Sequence, residues 1–357
     1  MREIFRGSSV IAGRVWVTAA AVCGVVALGF APVAVAAPGS GGCQEISIPV
    51  AIVPDSPPDN TVAATLCTPP NRSAAPEVDI LVAGATYNRE YWDPTAMPAE
   101  YSYVANTVAA GRATLNFDRL GTGASTRTGS DRQNVSTDAF VLHQLIGWLH
   151  GNGYRTVNAV GHSLGSVTLI DEASRWHDLE RVVLTGVIHL PGVGLNSTGF
   201  YAALYPAMYD PKWQGILNDP GFLTTRPGQR GSAFYDLAAT DSAIVANDER
   251  TKDLATVGEV AESSQLLLTP AAANPSRAIT APVLVAMGAE DDIFCNLFVS
   301  CHSAETIRAN EAPYYTGAAA LDVLVVPDAA HNLPLHRNAA DTFRRIDHWI
   351  DTGTVGG

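Results

Sequence analysis

Between residues 78 and 350, short apolar runs alternate with stretches of helical periodicity, and this alternation restricts the chain to very few architectures. Residues 78–83, 113–117, 156–160, 181–188, 282–287 and 321–326 are short, mostly apolar runs. That pattern marks strands buried on both faces. Residues 101–110, 137–149, 166–176 and 339–350 read as helices. In the second of these, Phe140, Leu142, Leu145, Ile146 and Leu149 recur at helical spacing. Strands that alternate with helices build a mainly parallel sheet with helices on both faces. Before this region, residues 44–52 and 61–66 flank a cluster of Pro, Asp and Asn and read as an antiparallel pair. The expected class is therefore α/β with a mixed, mainly parallel sheet.

One segment interrupts the alternation. From residue 191 to about 280 no strong strand pattern occurs, yet the stretch is rich in aromatics, including Phe200, Tyr201, Tyr205, Trp213 and Phe234. It is too long for one crossover connection. A mostly helical cap over one end of the sheet is expected here. The core then divides into a first part at 37–190 and a second at 281–357.

The N-terminal segment does not belong to that core. Arg2, Arg6 and Arg14 precede an apolar run that closes on Ala34-Val35-Ala36. This is the pattern of a Sec-type export signal cleaved after Ala36, with a membrane anchor as the rival reading. Pro32 and the small residues at the end of the run favour cleavage, so a secreted protein with no lasting membrane anchor is expected. Cys23 leaves with the signal. The remaining Cys43, Cys67, Cys295 and Cys301 are even in number, as disulfides in an oxidising compartment require. Pairing Cys43 with Cys67 would join the first two strands, and pairing Cys295 with Cys301 would close a short loop. A metal site from Cys295, Cys301 and His302 lacks a fourth ligand at sensible spacing. The formal net charge is −13 and no basic run occurs, which argues against a nucleic acid partner.

The chemistry-bearing motif is Gly161-His162-Ser163-Leu164-Gly165, between the expected strand at 156–160 and the helix that follows. A serine on a sharp strand-to-helix turn projects its hydroxyl above the carboxyl edge of the sheet. The amide of the next residue, Leu164, then points at a developing oxyanion. A serine hydroxyl needs a general base held by an acid. Both stand later in the chain, each just past a strand: Glu290-Asp291-Asp292 after residues 282–287, and His331 after residues 321–326.

Taken together, the turn, the acid loop and the histidine loop resemble the α/β-hydrolase family over most of residues 78–350, in the family's order. The resemblance implies Ser163, Asp291 and His331 as the triad, with Asp292 and Glu290 as competitors for the acid. It also implies a second oxyanion amide, from Ala85 or Thr86, in Ala83-Gly84-Ala85-Thr86-Tyr87. Here the His-Gly common in the family is replaced by Ala-Gly. Asp118 and the glycines after it resemble a structural loop of the same family. Tyr87 and Trp92 beside the oxyanion loop, His162 before the serine, and Tyr201 and Tyr205 in the insertion are candidate substrate-lining residues. Core packing is their competing role.

A serine at the turn, in place of the aspartate that epoxide- and halide-displacing relatives use, points to acyl chemistry. No phosphate-binding loop or adequately spaced metal cluster is legible, so no cofactor is expected. The expected function is a secreted carboxylesterase, with lactone or lipid esters as variants and a small apolar or aromatic ester as substrate. Acyl transfer to an alcohol or amine uses the same triad, and a non-catalytic binding protein would keep only the fold.

Overall fold

The computed structural model describes residues 41–70, 76–190, 198–296 and 298–356. The expected export signal lies outside them. Eleven strands occur among these residues. In the N-terminal half they are β1 (Gly42–Val50), β2 (Asn60–Thr68), β3 (Glu77–Val82), β4 (Ala113–Phe117), β5 (Thr156–His162) and β6 (Arg181–Thr185). The rest are β7 (Leu204–Pro206), β8 (Phe222–Thr225), β9 (Ala255–Thr256), β10 (Val283–Gly288) and β11 (Leu321–Val326). The α-helices are α1 (Pro98–Tyr101), α2 (Tyr103–Ala109), α3 (Val135–Gly151), α4 (Leu164–Trp176) and α5 (Thr198–Ala203). They continue with α6 (Arg230–Phe234), α7 (Ser242–Thr251), α8 (Val257–Leu268), α9 (Ala304–Glu311) and α10 (Ala339–Thr352).

Eight strands form one sheet in the order β1-β2-β4-β3-β5-β6-β10-β11. The β1–β2 and β2–β4 pairs are antiparallel and all others are parallel. Cys43 stands opposite Cys67 in the β1–β2 register, and the two form a disulfide. Every residue of β4 and β10 is buried, which explains the unbroken apolar run of β10, and in β4 the burial includes polar Thr114 and Asn116. Helices α3 and α4 pack on each other and on β5. On the opposite face, α2 packs on β4 and on α10. The amphipathic α10 buries Phe343, Ile346, Trp349 and Ile350.

Three elements differ from the sequence reading. The strand expected over 181–188 stops at Thr185, because Gly186 turns the chain at φ 61°. The apolar residues after it, Val187 and Ile188, are buried without pairing in the sheet. Between β6 and β10 the chain is not purely helical: β7, β8 and β9 make a small antiparallel sheet. These strands are only two to four residues long, too short to leave a periodic signal. Helix α9 also escaped the sequence pattern, since Ile307 is its only buried hydrophobic residue.

Candidate active site

Ser163 occupies the single position between β5 and α4. Its backbone sits at φ 52° and ψ −117°, a left-handed conformation that costs a non-glycine residue energy and is kept only where surrounding structure enforces it. The enforcement is visible. Ser163 N–H donates to Thr185 O on β6 at 2.8 Å, and a Cβ added at Gly165 would stand 2.2 Å from Val82 O. The helix can therefore approach β3 only because residue 165 is glycine. The turn leaves Ser163 partly exposed at the N-terminus of α4.

The acid and histidine loops leave neighbouring parallel strands and are tied together. Ala289 N–H donates to Val326 O and Glu290 N–H to Ala329 O, both at 2.9 Å. The carboxylate of Asp291 is fully buried. Its Oδ1 accepts from the amides of Ile293 (2.9 Å) and Phe294 (3.2 Å), and its Oδ2 meets His331 Nδ1 at 2.9 Å. Of the three acids weighed in this loop, Asp291 alone faces the imidazole; Asp292 and Glu290 are exposed. The His331 ring lies between Phe234 and Phe294, at centroid distances of 5.9 and 5.7 Å. Behind it, His336 Nε2 accepts from the amides of Ala330 and Asp236, while its Nδ1 bonds Asn332 O. That pattern requires a neutral ring protonated at Nδ1, and burial pushes its pKa below the usual histidine range.

Ser163 and His331 reach the same rim. The rings of His162 and His331 are 4.7 Å apart, and Gly186 fits between them, its hypothetical Cβ 2.9 Å from His162 Cε1 and 3.2 Å from His331 Cε1. Among the described residues, the acid–imidazole contact is made as a hydrogen bond and the imidazole–Ser163 contact is not.

The loop after β3 brings Gly84 against His162 and Ser163, its hypothetical Cβ 3.2 Å from Ser163 Cβ. The next two residues point different ways. Ala85 lines the cavity that holds Ser163 and Leu164. Thr86 is fully buried at φ 64°, its hydroxyl accepting from Arg230 Nη1 at 2.9 Å and its carbonyl from Asp253 N–H at 2.8 Å. Asp118 is a structural brace: it accepts from the amides of Arg89 and Ala124.

The cavity at Ser163 measures about 50 Å³. Ala85, Leu164, Val167, Ile293 and Phe294 form its walls from the sheet side. Phe200, Tyr201, Val260, Ser263, Ser264 and Leu267 close it from the segment between β6 and β10. Of the candidate lining residues, Tyr201 is in this wall and four others are elsewhere. Trp92 is fully buried against Tyr91 and Tyr103. Tyr205 donates to Asp210 and stacks under Arg226. His162 is fully buried, stacked on Tyr91 at 4.4 Å, its Nδ1 3.2 Å from Thr185 Oγ1. Burial pushes its pKa well below the ordinary value, with His331 adding to the effect. Tyr87 bridges Asn332 and Asp248. The α8 residues Val260, Ser263, Ser264 and Leu267 escaped sequence reasoning, although their i, i+3, i+4, i+7 spacing is one face of a helix.

A second cleft, of about 420 Å³, opens on the other side of His331 between Ala233–Ala238 and the exposed Glu290 and Asp292.

Comparison with known proteins agrees with this arrangement at the level of fold. A thermophilic esterase from Thermogutta terrifontis superposes with a TM-score of 0.55 at 16% identity, covering 86% of this chain and 98% of that one. A monoacylglycerol lipase from Paleococcus ferrophilus gives 0.54 at 18% identity, covering 83% and 100%. The carboxylesterase CesB from Bacillus subtilis gives 0.54 at 15% identity, covering 88% and 93%. No curated protein sequence matches the chain. The sequence model described as alpha/beta hydrolase family matches residues 80–345, which is most of the chain. This protein belongs to the alpha/beta hydrolase family.

Proposed function

We propose that the protein is a secreted serine carboxylesterase acting on small esters with a short apolar acyl group. Ser163 is the nucleophile, His331 the general base and acid, and Asp291 the group that holds the imidazole with Nδ1 protonated. The observation that carries this reading is the 2.9 Å bond from His331 Nδ1 to the buried Asp291, at the rim where Ser163 stands on its strained turn. It leaves Nε2 as the basic nitrogen.

In the proposed cycle Ser163 Oγ attacks the ester carbonyl while His331 Nε2 takes its proton. Such contacts commonly close only once substrate is bound. The amides of Leu164 and Ala85 stabilise the oxyanion, helped by the N-terminus of α4. Ala85 is preferred over Thr86 because it lines the cavity and Thr86 is held away by Arg230. His331 then protonates the departing alcohol, and water activated by the same ring releases the acid.

The cavity of about 50 Å³ supports a short acyl chain, and its largely apolar wall supports an uncharged one. Within the cap, Phe200, Tyr201 and the α8 residues build half of that wall. Two disulfides support an oxidising, extracellular location, and among the described residues no helix is long and apolar enough to cross a membrane.

Hydrolysis of p-nitrophenyl esters of increasing chain length tests the reading. Acetate to butyrate should be cleaved and octanoate poorly, with Ser163→Ala inactive on all. Equal rates in Ser163→Ala would refute it.

A further inference from the structure

Away from the Ser163 cavity, α3 and α4 carry a second group of ionisable side chains. His143 lies on α3, Glu172 on the last turns of α4, and Asp178 just past its end. One ligand atom from each, the imidazole Nδ1 and one oxygen of each carboxylate, lies within 4.8 Å of the other two. We propose that these three residues form a zinc site that clamps α3 to α4.

Glu172 makes the case. Its side chain is completely buried, and neither carboxylate oxygen has a hydrogen-bond partner among the described residues. Oε1 stands 3.6 Å from His143 Nδ1, outside hydrogen-bond distance. A buried carboxylate without donors is expensive unless something positive faces it. Among the described residues no lysine or arginine forms an ion pair with it, and its one basic neighbour is His143 itself. A bound divalent cation would supply the missing charge and keep the group ionised.

The remaining ligands suit that role. His143 Nδ1 is 2.8 Å from Asp178 Oδ2, and the imidazole is fixed in plane by stacking on Trp176 at 4.5 Å with an 11° tilt. Ligand atoms around tetrahedral zinc stand about 3.3 Å apart, with bonds of about 2.0–2.2 Å. Shifts of side-chain rotation alone span that difference. His143 and Asp178 have side-chain exposures of 33% and 22%, so a cation and a fourth, water ligand can reach the site from solvent. One imidazole with two carboxylates selects zinc over magnesium or calcium, which favour all-oxygen sets. The ligand atoms must be deprotonated, so binding releases protons to solvent.

Titration calorimetry with zinc chloride on the tag-free, chelator-stripped protein tests this. The expected result is one zinc per chain, a rise in Tm of several degrees, and no comparable heat from magnesium or calcium chloride. His143→Ala and Asp178→Asn change partly exposed groups, so the fold should survive, as circular dichroism would verify. Each variant should lose stoichiometric binding and the zinc-dependent Tm shift. Absence of stoichiometric zinc binding by the wild type would overturn the proposal. So would binding that persists unchanged in folded His143→Ala.

Discussion

Arg230 Nε donates to Asp248 Oδ1 at 2.8 Å, both side chains buried, and this ion pair ties three otherwise separate parts of the site together. Arg230 also donates to Thr86 Oγ1 and lies over the Tyr87 ring at 4.1 Å. Asp248 Oδ2 accepts from the hydroxyls of Tyr235 and Tyr87, and the Tyr87 hydroxyl accepts from Asn332, the neighbour of His331. The loop after β3 and the loop of His331 are thereby positioned from the segment between β6 and β10.

Breaking this network should cost both stability and turnover. Arg230→Met leaves Asp248 buried without its cation, a loss of about 3–5 kcal/mol. Tyr87→Phe keeps the ring and removes one hydroxyl, for about 1–3 kcal/mol. We expect Tyr87→Phe to lower kcat more than it raises KM, because it loosens His331 without entering the cavity. Chemical denaturation and steady-state kinetics on the two variants measure these effects; unchanged kcat in Tyr87→Phe would remove the positioning role.

The wall of the Ser163 cavity can be widened from α8. Leu267 is buried in the Ser163 cavity, and Leu267→Ala should cost about 2–5 kcal/mol in stability. In return, kcat/KM for hexanoate relative to acetate should rise by about tenfold, the worth of one or two methylenes finding room. An unchanged chain-length profile would mean that the acyl group binds elsewhere, for instance in the larger cleft beyond His331.

The Cys295–Cys301 disulfide, spanning six positions, closes the loop directly after the acid. Asp291 O accepts from Cys295 N–H at 3.0 Å, so the bridged loop holds the backbone of the acid as well as its carboxylate. Replacing both cysteines with alanine should destabilise the protein by about 2 kcal/mol and reduce kcat. Thermal unfolding and kinetics check this; equal Tm and kcat would assign the bridge no role in holding Asp291.

Glu172 gives a stability prediction with a definite sign. Its folded-state pKa is raised from 4.5 to about 8, chiefly by burial. Between those values the folded protein keeps a proton that the unfolded chain has released, so stability is present at low pH and is lost as pH rises. His143 is also raised, first by its interaction with Glu172, and its contribution is lost in the same direction. With chelator present, Glu172 alone should make wild-type stability fall from about pH 5 to about pH 8 by at most about 1.4 kcal/mol per unit. Glu172→Gln should flatten this slope, and an identical slope in the variant would assign the loss to other groups.

The sheet was readable from sequence because its parallel strands are largely buried and therefore mostly apolar. Residues 282–287 are the clearest such run, and 283–288 form the fully buried β10. Where burial and pairing part company the reading slipped, as at Val187 and Ile188, which are buried beyond the end of β6. The turn at Ser163 and the loops of Asp291 and His331 were legible because each follows a strand. The cavity wall was not. An aromatic residue carries the same signal whether it packs in a core, as Trp92 does, or faces a cavity, as Tyr201 does. Likewise Glu172 has no local pattern around it; its partners come from another helix and from the far side of a turn.

Labelling with a fluorophosphonate tests the central claim most directly, since displacing the fluoride calls for an activated nucleophile such as a base-assisted serine. The account predicts one phosphonyl group per chain, mapped by peptide mass to Ser163, with labelling slowed by roughly 10³-fold or more in His331→Ala. Folded, disulfide-bonded protein that takes up no label, or takes it up on another residue, would contradict it.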